Sequence, residues 1–114
     1  MKRLNTKKKL SEANQWLRRF GEEGPEKMEA FHRILGAVAK EEALSKRYKE
    51  LIAIALSITQ ECEWCIAFPV KNALEVGATE EEILEAMWMA LLVGDSPALM
   101  HTGLVPDYLE DFSS

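Results

Sequence analysis

Two cysteines separated by two residues, Cys62-Glu63-Trp64-Cys65, are the strongest chemical signal in this 114-residue chain. At the start of a helix, residues i and i+3 share a face, so the two sulfurs can come within bonding reach. The first sulfur also faces the positive end of the helix dipole, which favours thiolate, the nucleophilic form. That geometry suits a dithiol–disulfide cycle. The same spacing serves half a zinc site or a pair of inert core cysteines. Zinc needs two further ligands, and the chain has no second CxxC, while His32 and His101 lie far apart in sequence. Neither a metal nor a cofactor is expected.

Glu50 is the second candidate, twelve residues before Cys62. It stands at the start of a very apolar stretch, where burial raises a carboxyl pKa and suits it to pass a proton to or from a thiol. The plainer reading is a surface Glu in the first turn of a helix, stabilised by the dipole.

The elements that must hold these groups read as helices throughout, because no stretch alternates at period two between turn signals. Leu10 to Phe20 is a short helix stopped by Gly21. Pro25 opens a second helix to about Ala39, with Met28, Phe31, Ile34, Leu35 and Val38 along one side and Gly36 interrupting it. Ser45 caps a third, from about Lys46 to Thr59, whose centre is apolar nearly all round and so demands burial on most sides. The Cys62–Cys65 segment opens a fourth that ends at Gly77, and Thr79 with Glu82 forms a capping box before a fifth that stops at Gly94. Ser96-Pro97 starts a sixth; Pro106 should end or kink it, leaving Tyr108 to Ser114 as a tail. The expected fold is all-α, about six helices in one domain over residues 1–114. Residues 1–20 form a basic helical arm and 96–114 a C-terminal helix and tail, and the family resemblance given below makes 46–94 the core.

Apolar residues make up 47% of the chain, enough for a packed core, and spare apolar surface on helices of this kind often ends in an oligomer. The net charge of −5 is uneven: residues 1–20 carry +6 and the rest −11. A basic arm can bind nucleic acid, but the acidic bulk repels phosphate, so the arm reads as a solvated helix face with a frayed terminus. The longest apolar run, Leu51 to Ile58, is eight residues, short of a membrane span. No apolar segment of signal-peptide type follows the basic Met1–Leu10. A cytoplasmic location is expected, with neither nucleic acid nor membrane as partner. In that compartment two cysteines three apart are seldom a structural disulfide.

The segment from Lys46 to Gly94 resembles the carboxymuconolactone decarboxylase / alkylhydroperoxidase D family. The matching features are Lys49-Glu50-Leu51-Ile52, the apolar helix, Cys62-Glu63-Trp64-Cys65, Ala73, Gly77-Ala78-Thr79, Glu81-Glu82-Ile83, Glu85-Ala86 and Gly94. The resemblance implies an all-α fold with subunits associated as trimers or hexamers, and a redox CxxC with a proton relay. Carried across, Glu50, Cys62 and Cys65 match as catalytic residues. Cys65 is then the thiol that attacks peroxide, and Cys62 the partner that closes the disulfide. The relay histidine between the cysteines is Trp64 here, and the later one is Pro69. Neither can shuttle a proton at neutral pH, and acid–base help typically contributes roughly 10²–10⁴-fold. Remaining carriers are Glu50, Glu61, Glu63 and a distant His101.

Three functions follow for comparison. The first is a peroxidase or disulfide reductase working through Cys62 and Cys65, on a small peroxide or disulfide and a thiol electron donor. The second is a non-catalytic helical oligomer that keeps the scaffold after the relay decayed. The third is a decarboxylase of a small cyclic acid, against which Glu61 and Glu63 would repel an anionic substrate; Lys71 reads as a solvated face residue. Met87, Trp88 and Met89 read as core or subunit interface, Phe68 as packing, and Trp16 as an anchor for an arm folded on another subunit.

Overall fold

A computed structural model of the chain describes residues 6–94 and 96–113. Among these residues there are seven helices and no strand: α1 Thr6–Glu23, α2 Pro25–Ala39, α3 Lys46–Thr59, α4 Glu63–Glu75, α5 Glu80–Val93, α6 Ser96–Thr102 and α7 Leu104–Ser113. The part of the basic arm at residues 1–5 lies outside the described residues, as do Asp95 and Ser114.

The helix boundaries follow local chemistry. The Ser45 side chain accepts the Tyr48 N–H, and Thr79 and Glu82 close the expected capping box at the head of α5. Gly77 adopts φ +89° beyond the end of α4, a left-handed conformation that glycine takes without steric cost. Gly94 serves differently: a Cβ there would lie 2.5 Å from the Ala98 Cβ, so its bareness lets α6 follow α5 closely.

Two expected breaks are absent. α1 runs through Gly21 and α2 through Gly36, since one glycine costs a helix only about 1 kcal/mol. The supposed tail from Tyr108 is instead a helix. Pro106 falls in the first turn of α7, where a missing N–H breaks no helical bond.

The core is built from Ile54 and Ile58 of α3, Ile66 and Val70 of α4, Ile83 and Met87 of α5, Ala98 of α6, and Val105 and Tyr108 of α7. α1 closes one side with Leu10 and Ala13. The arm therefore folds on its own chain, against α4 and α7 as well as α2. Thr6, at its start, gives both its backbone N–H and its hydroxyl to the Asp111 carboxylate of α7.

Burial is less complete than the sequence suggests. Ile52 and Leu56 of α3 stay exposed, and no residue of α2 is buried, with Ile34 61% and Val38 67% exposed. α2 packs chiefly on α1 and is tied at its end by Lys49, whose Nζ donates to the Val38 and Lys40 carbonyls at 2.7 and 2.6 Å. Among the described residues no helix is long and apolar enough to cross a membrane.

Candidate redox site

α3 and α4 are joined by three residues, 60–62, and pack along each other, so the CxxC sits where the chain reverses. The reversal uses Glu61 at φ 58°, a left-handed conformation that costs a non-glycine residue about 1–2 kcal/mol. Such backbone cost is characteristically stored beside functional groups.

Cys62 is the N-cap of α4, and its sulfur accepts the Cys65 backbone N–H at 3.2 Å. The two cysteines form a disulfide, with Cα atoms 5.1 Å apart. Cys65 is exposed and Cys62 half-buried. On reduction, negative charge on the Cys62 sulfur would meet a donated N–H and the positive end of α4. Cys65 is the more exposed residue of the pair.

Glu50 lies elsewhere along the same pair of helices. Burial raises its pKa, partly offset by a hydrogen bond with Asn72. Asn72 is seven residues beyond Cys65 on α4, about 10 Å along the helix axis at ~1.5 Å per residue. Glu50 also lines an apolar groove of about 430 Å³ with Leu35, Val38, Leu44, Ile52 and Leu56. The structure joins Cys62 to Cys65 directly and gives Glu50 a partner, Asn72, two turns further along α4. Pro69, on α4 between Cys65 and Asn72, is buried inside the helix.

Two residues that sequence reasoning left aside stand at the head of α4. Lys9 of α1 is only 4% exposed. Its Nζ donates to Glu63 Oε2 and to the Tyr108 hydroxyl, each at 3.1 Å. The Tyr108 hydroxyl donates in turn to the Glu63 carbonyl at 3.1 Å. Burial pulls the Lys9 pKa down, but the bonds to Tyr108 and Glu63, with their electrostatic attraction, outweigh it and hold the ammonium above its ordinary range. Burial pushes the Tyr108 phenol up, against the opposing pull of Lys9. Sequence spacing held a signal for both. Thr6, Lys9, Leu10 and Ala13 form one stripe, and so do Val105, Tyr108, Leu109 and Phe112.

Trp64, between the cysteines, stacks at a tilt on Trp16 of α1, ring centroids 5.5 Å apart. Trp16 is thus anchored within its own chain. The Trp64 indole N–H is buried and has no acceptor among the described residues. Of the remaining suggested carriers, Glu61 is exposed, Glu63 is bound by Lys9, and half-buried His101 sits in the last turn of α6. Lys71 pairs loosely with Glu75 on the surface, at 3.8 Å.

The chain is similar to known proteins over most of its length. The chain is 41% identical over 73 residues to an uncharacterized protein of the cox locus of Paracoccus denitrificans, covering 64% of this chain and 66% of that one. It is 30% identical over 104 residues to an uncharacterized protein of Cupriavidus necator, covering 91% and 92%. Among solved structures, the apo form of a carboxymuconolactone decarboxylase family protein from Legionella pneumophila superposes with a TM-score of 0.91 at 35% identity, over 96% of this chain and 97% of that one. A family member from Thermotoga maritima, described as a candidate participant in the antioxidative response, gives 0.82 at 30% identity, over 92% and 90%. With the family's own sequence model matching residues 25–105, the chain belongs to the carboxymuconolactone decarboxylase family.

Proposed function

We propose that the protein is a thiol-dependent oxidoreductase that reduces a peroxide or a disulfide by cycling Cys62 and Cys65 between dithiol and disulfide. The observation that carries this reading is the disulfide at the head of α4, with one sulfur capped by a backbone N–H and the other on an exposed residue. The Cys65 thiolate attacks the outer oxygen of a hydroperoxide. The O–O bond breaks, an alcohol leaves with one proton, and Cys65 becomes a sulfenic acid. The Cys62 thiol attacks that sulfur, releasing water and forming the disulfide. A donor thiolate then attacks the Cys65 sulfur and expels Cys62 as the capped thiolate. A second donor thiol resolves the mixed disulfide, so the donor leaves oxidised and both cysteines reduced.

The homo-oligomer expected from the resemblance belongs to this proposal. Exposed Phe31, Ile34 and Leu35 of α2, Ile52 and Leu56 of α3, and Trp88 and Leu92 of α5 exceed the scattered apolar residues usual on a monomer. A second reading, a non-catalytic oligomer, is favoured by Trp64 and Pro69 at the relay positions.

The test is a count of free thiols in the fully reduced protein before and after one equivalent of peroxide. Loss of both thiols to an intramolecular disulfide, reversed by a dithiol and abolished in Cys65→Ser, is expected. Thiols that persist, or that oxidise irreversibly, would leave the non-catalytic reading standing.

A further inference from the structure

The Lys9–Glu63–Tyr108 cluster is unusual in placing an almost fully buried ammonium at the first turn of the helix that carries the cysteines. Burying a charge is costly unless it is paired and hydrogen-bonded, and this one is both. An anchor for α1 alone would not require it, since Leu10, Ala13 and the Thr6–Asp111 contact already dock that helix. What Lys9 adds falls on Glu63. Glu63 directly follows Cys62, and its side chain is 42% exposed. Its carboxylate meets Lys9, and its carbonyl meets Tyr108. Both ends of the residue are held within one turn of the two sulfurs.

We propose that Lys9 and Tyr108 are positioning residues for the redox pair: Tyr108 fixes the Glu63 peptide, and the Lys9 ammonium neutralises a carboxylate that would otherwise oppose negative charge on the neighbouring sulfur. The inference rests on the redox reading above. Two-electron reduction takes the disulfide and two donor thiols to two cysteine thiols and a donor disulfide. Whatever stabilises the cysteine thiolate stabilises the reduced side and raises the potential. Lys9 acts in that direction, and an unpaired Glu63 carboxylate acts against it. The other titratable groups beside the cluster are Glu61, one residue before Cys62, and Asp107, which bears on Tyr108. α3 presents no titratable side chain from Leu51 to Thr59.

The experiment equilibrates the full chain with glutathione redox buffers and follows the disulfide fraction by thiol alkylation and mass spectrometry. Thiolate formation in the reduced protein is followed separately by its ultraviolet absorbance against pH. Lys9→Met should shift the equilibrium about tenfold toward the disulfide, a potential lower by about 30 mV, and raise the pKa of the more acidic thiol. Glu63→Gln should move both readouts the opposite way. The double variant should return close to the wild type. A purely structural anchor would lower the melting temperature of Lys9→Met without this reversal of sign. If Lys9→Met does not fold, Glu63→Gln alone decides the matter, because the amide is the same size as the carboxylate, its oxygen can still accept from Lys9, and Lys9 keeps its bond to the Tyr108 hydroxyl. A wild-type pair that equilibrates with glutathione while Glu63→Gln leaves potential and thiol pKa unmoved overturns this inference alone. A wild-type pair that does not equilibrate overturns the redox reading and this inference together.

Discussion

Replacing Tyr108 by Phe removes one oxygen and should cost the fold far more than one surface hydroxyl would. That oxygen makes two bonds of 3.1 Å, accepting from Lys9 and donating to the Glu63 carbonyl. The bond to a charged donor is worth about 1.5–3 kcal/mol net, and the neutral one about 1 kcal/mol. Glu63 still partners Lys9 and its carbonyl can find water, so the expected loss is about 2–3 kcal/mol rather than the full sum. Lys9 is too buried for water to replace the phenol freely. Lys9→Met instead removes the charge that needs solvating and should be nearly neutral. In the Lys9→Met background, Tyr108→Phe should therefore cost about 1–2 kcal/mol less than it does alone. Urea unfolding of the oxidised protein at neutral pH measures all four corners of this cycle, with an unchanged denaturant slope as the control. The same pair also predicts an alkaline limit. Folding raises the Lys9 pKa, so its stabilisation is complete below the ordinary value of 10.5 and fades as pH rises through the higher folded value. A Tyr108→Phe protein that loses under ~0.5 kcal/mol, or a cycle without coupling, would refute the claim that the phenol is what makes a buried ammonium tolerable.

Two other outcomes can be checked alongside. Burial lifts Glu50 above the ordinary 4.5, so folding favours its protonated form. The stability it contributes is complete at acid pH and fades as pH rises through the raised value, whereas Glu50→Gln should lack that decline in melting temperatures taken from about pH 4.5 upward. Gly94→Ala would set a Cβ 2.5 Å from the Ala98 Cβ and 2.9 Å from the Ala90 carbonyl oxygen. Contact normally begins near ~3.5 Å, so α6 must shift by about 1 Å, and thermal unfolding should show a loss of about 1–3 kcal/mol.

The sequence was most readable where one residue type has one local use. Ser45, Thr79 with Glu82, Gly77 and Pro25 each mark a helix end that the structure reproduces. The CxxC at the head of α4 was readable for the same reason. Lone glycines misled, because Gly21 and Gly36 can be absorbed by a helix held elsewhere along its length. Pro106 misled because a proline breaks a helix in its interior and not in its first turn. That error concealed the Val105–Tyr108–Leu109–Phe112 stripe and with it half of the cluster at α4. Lys9 was hidden by its neighbours: Lys7 and Lys8 are exposed, and only the three-and-four spacing with Thr6 and Ala13 separates it from them. The pairing of Glu50 with Asn72 of α4 is a tertiary fact, and no spacing within α3 reveals it.

Pro69 has a consequence for the cysteine four residues upstream. In an unbroken helix the amide of residue 69 would donate to the main-chain oxygen of Cys65, and proline has no hydrogen to give. The rung missing from α4 is thus the one ending on the more exposed cysteine of the pair. The Cys65 carbonyl therefore lacks the helical partner that its neighbours have, and α4 is held by one bond fewer at the redox pair itself.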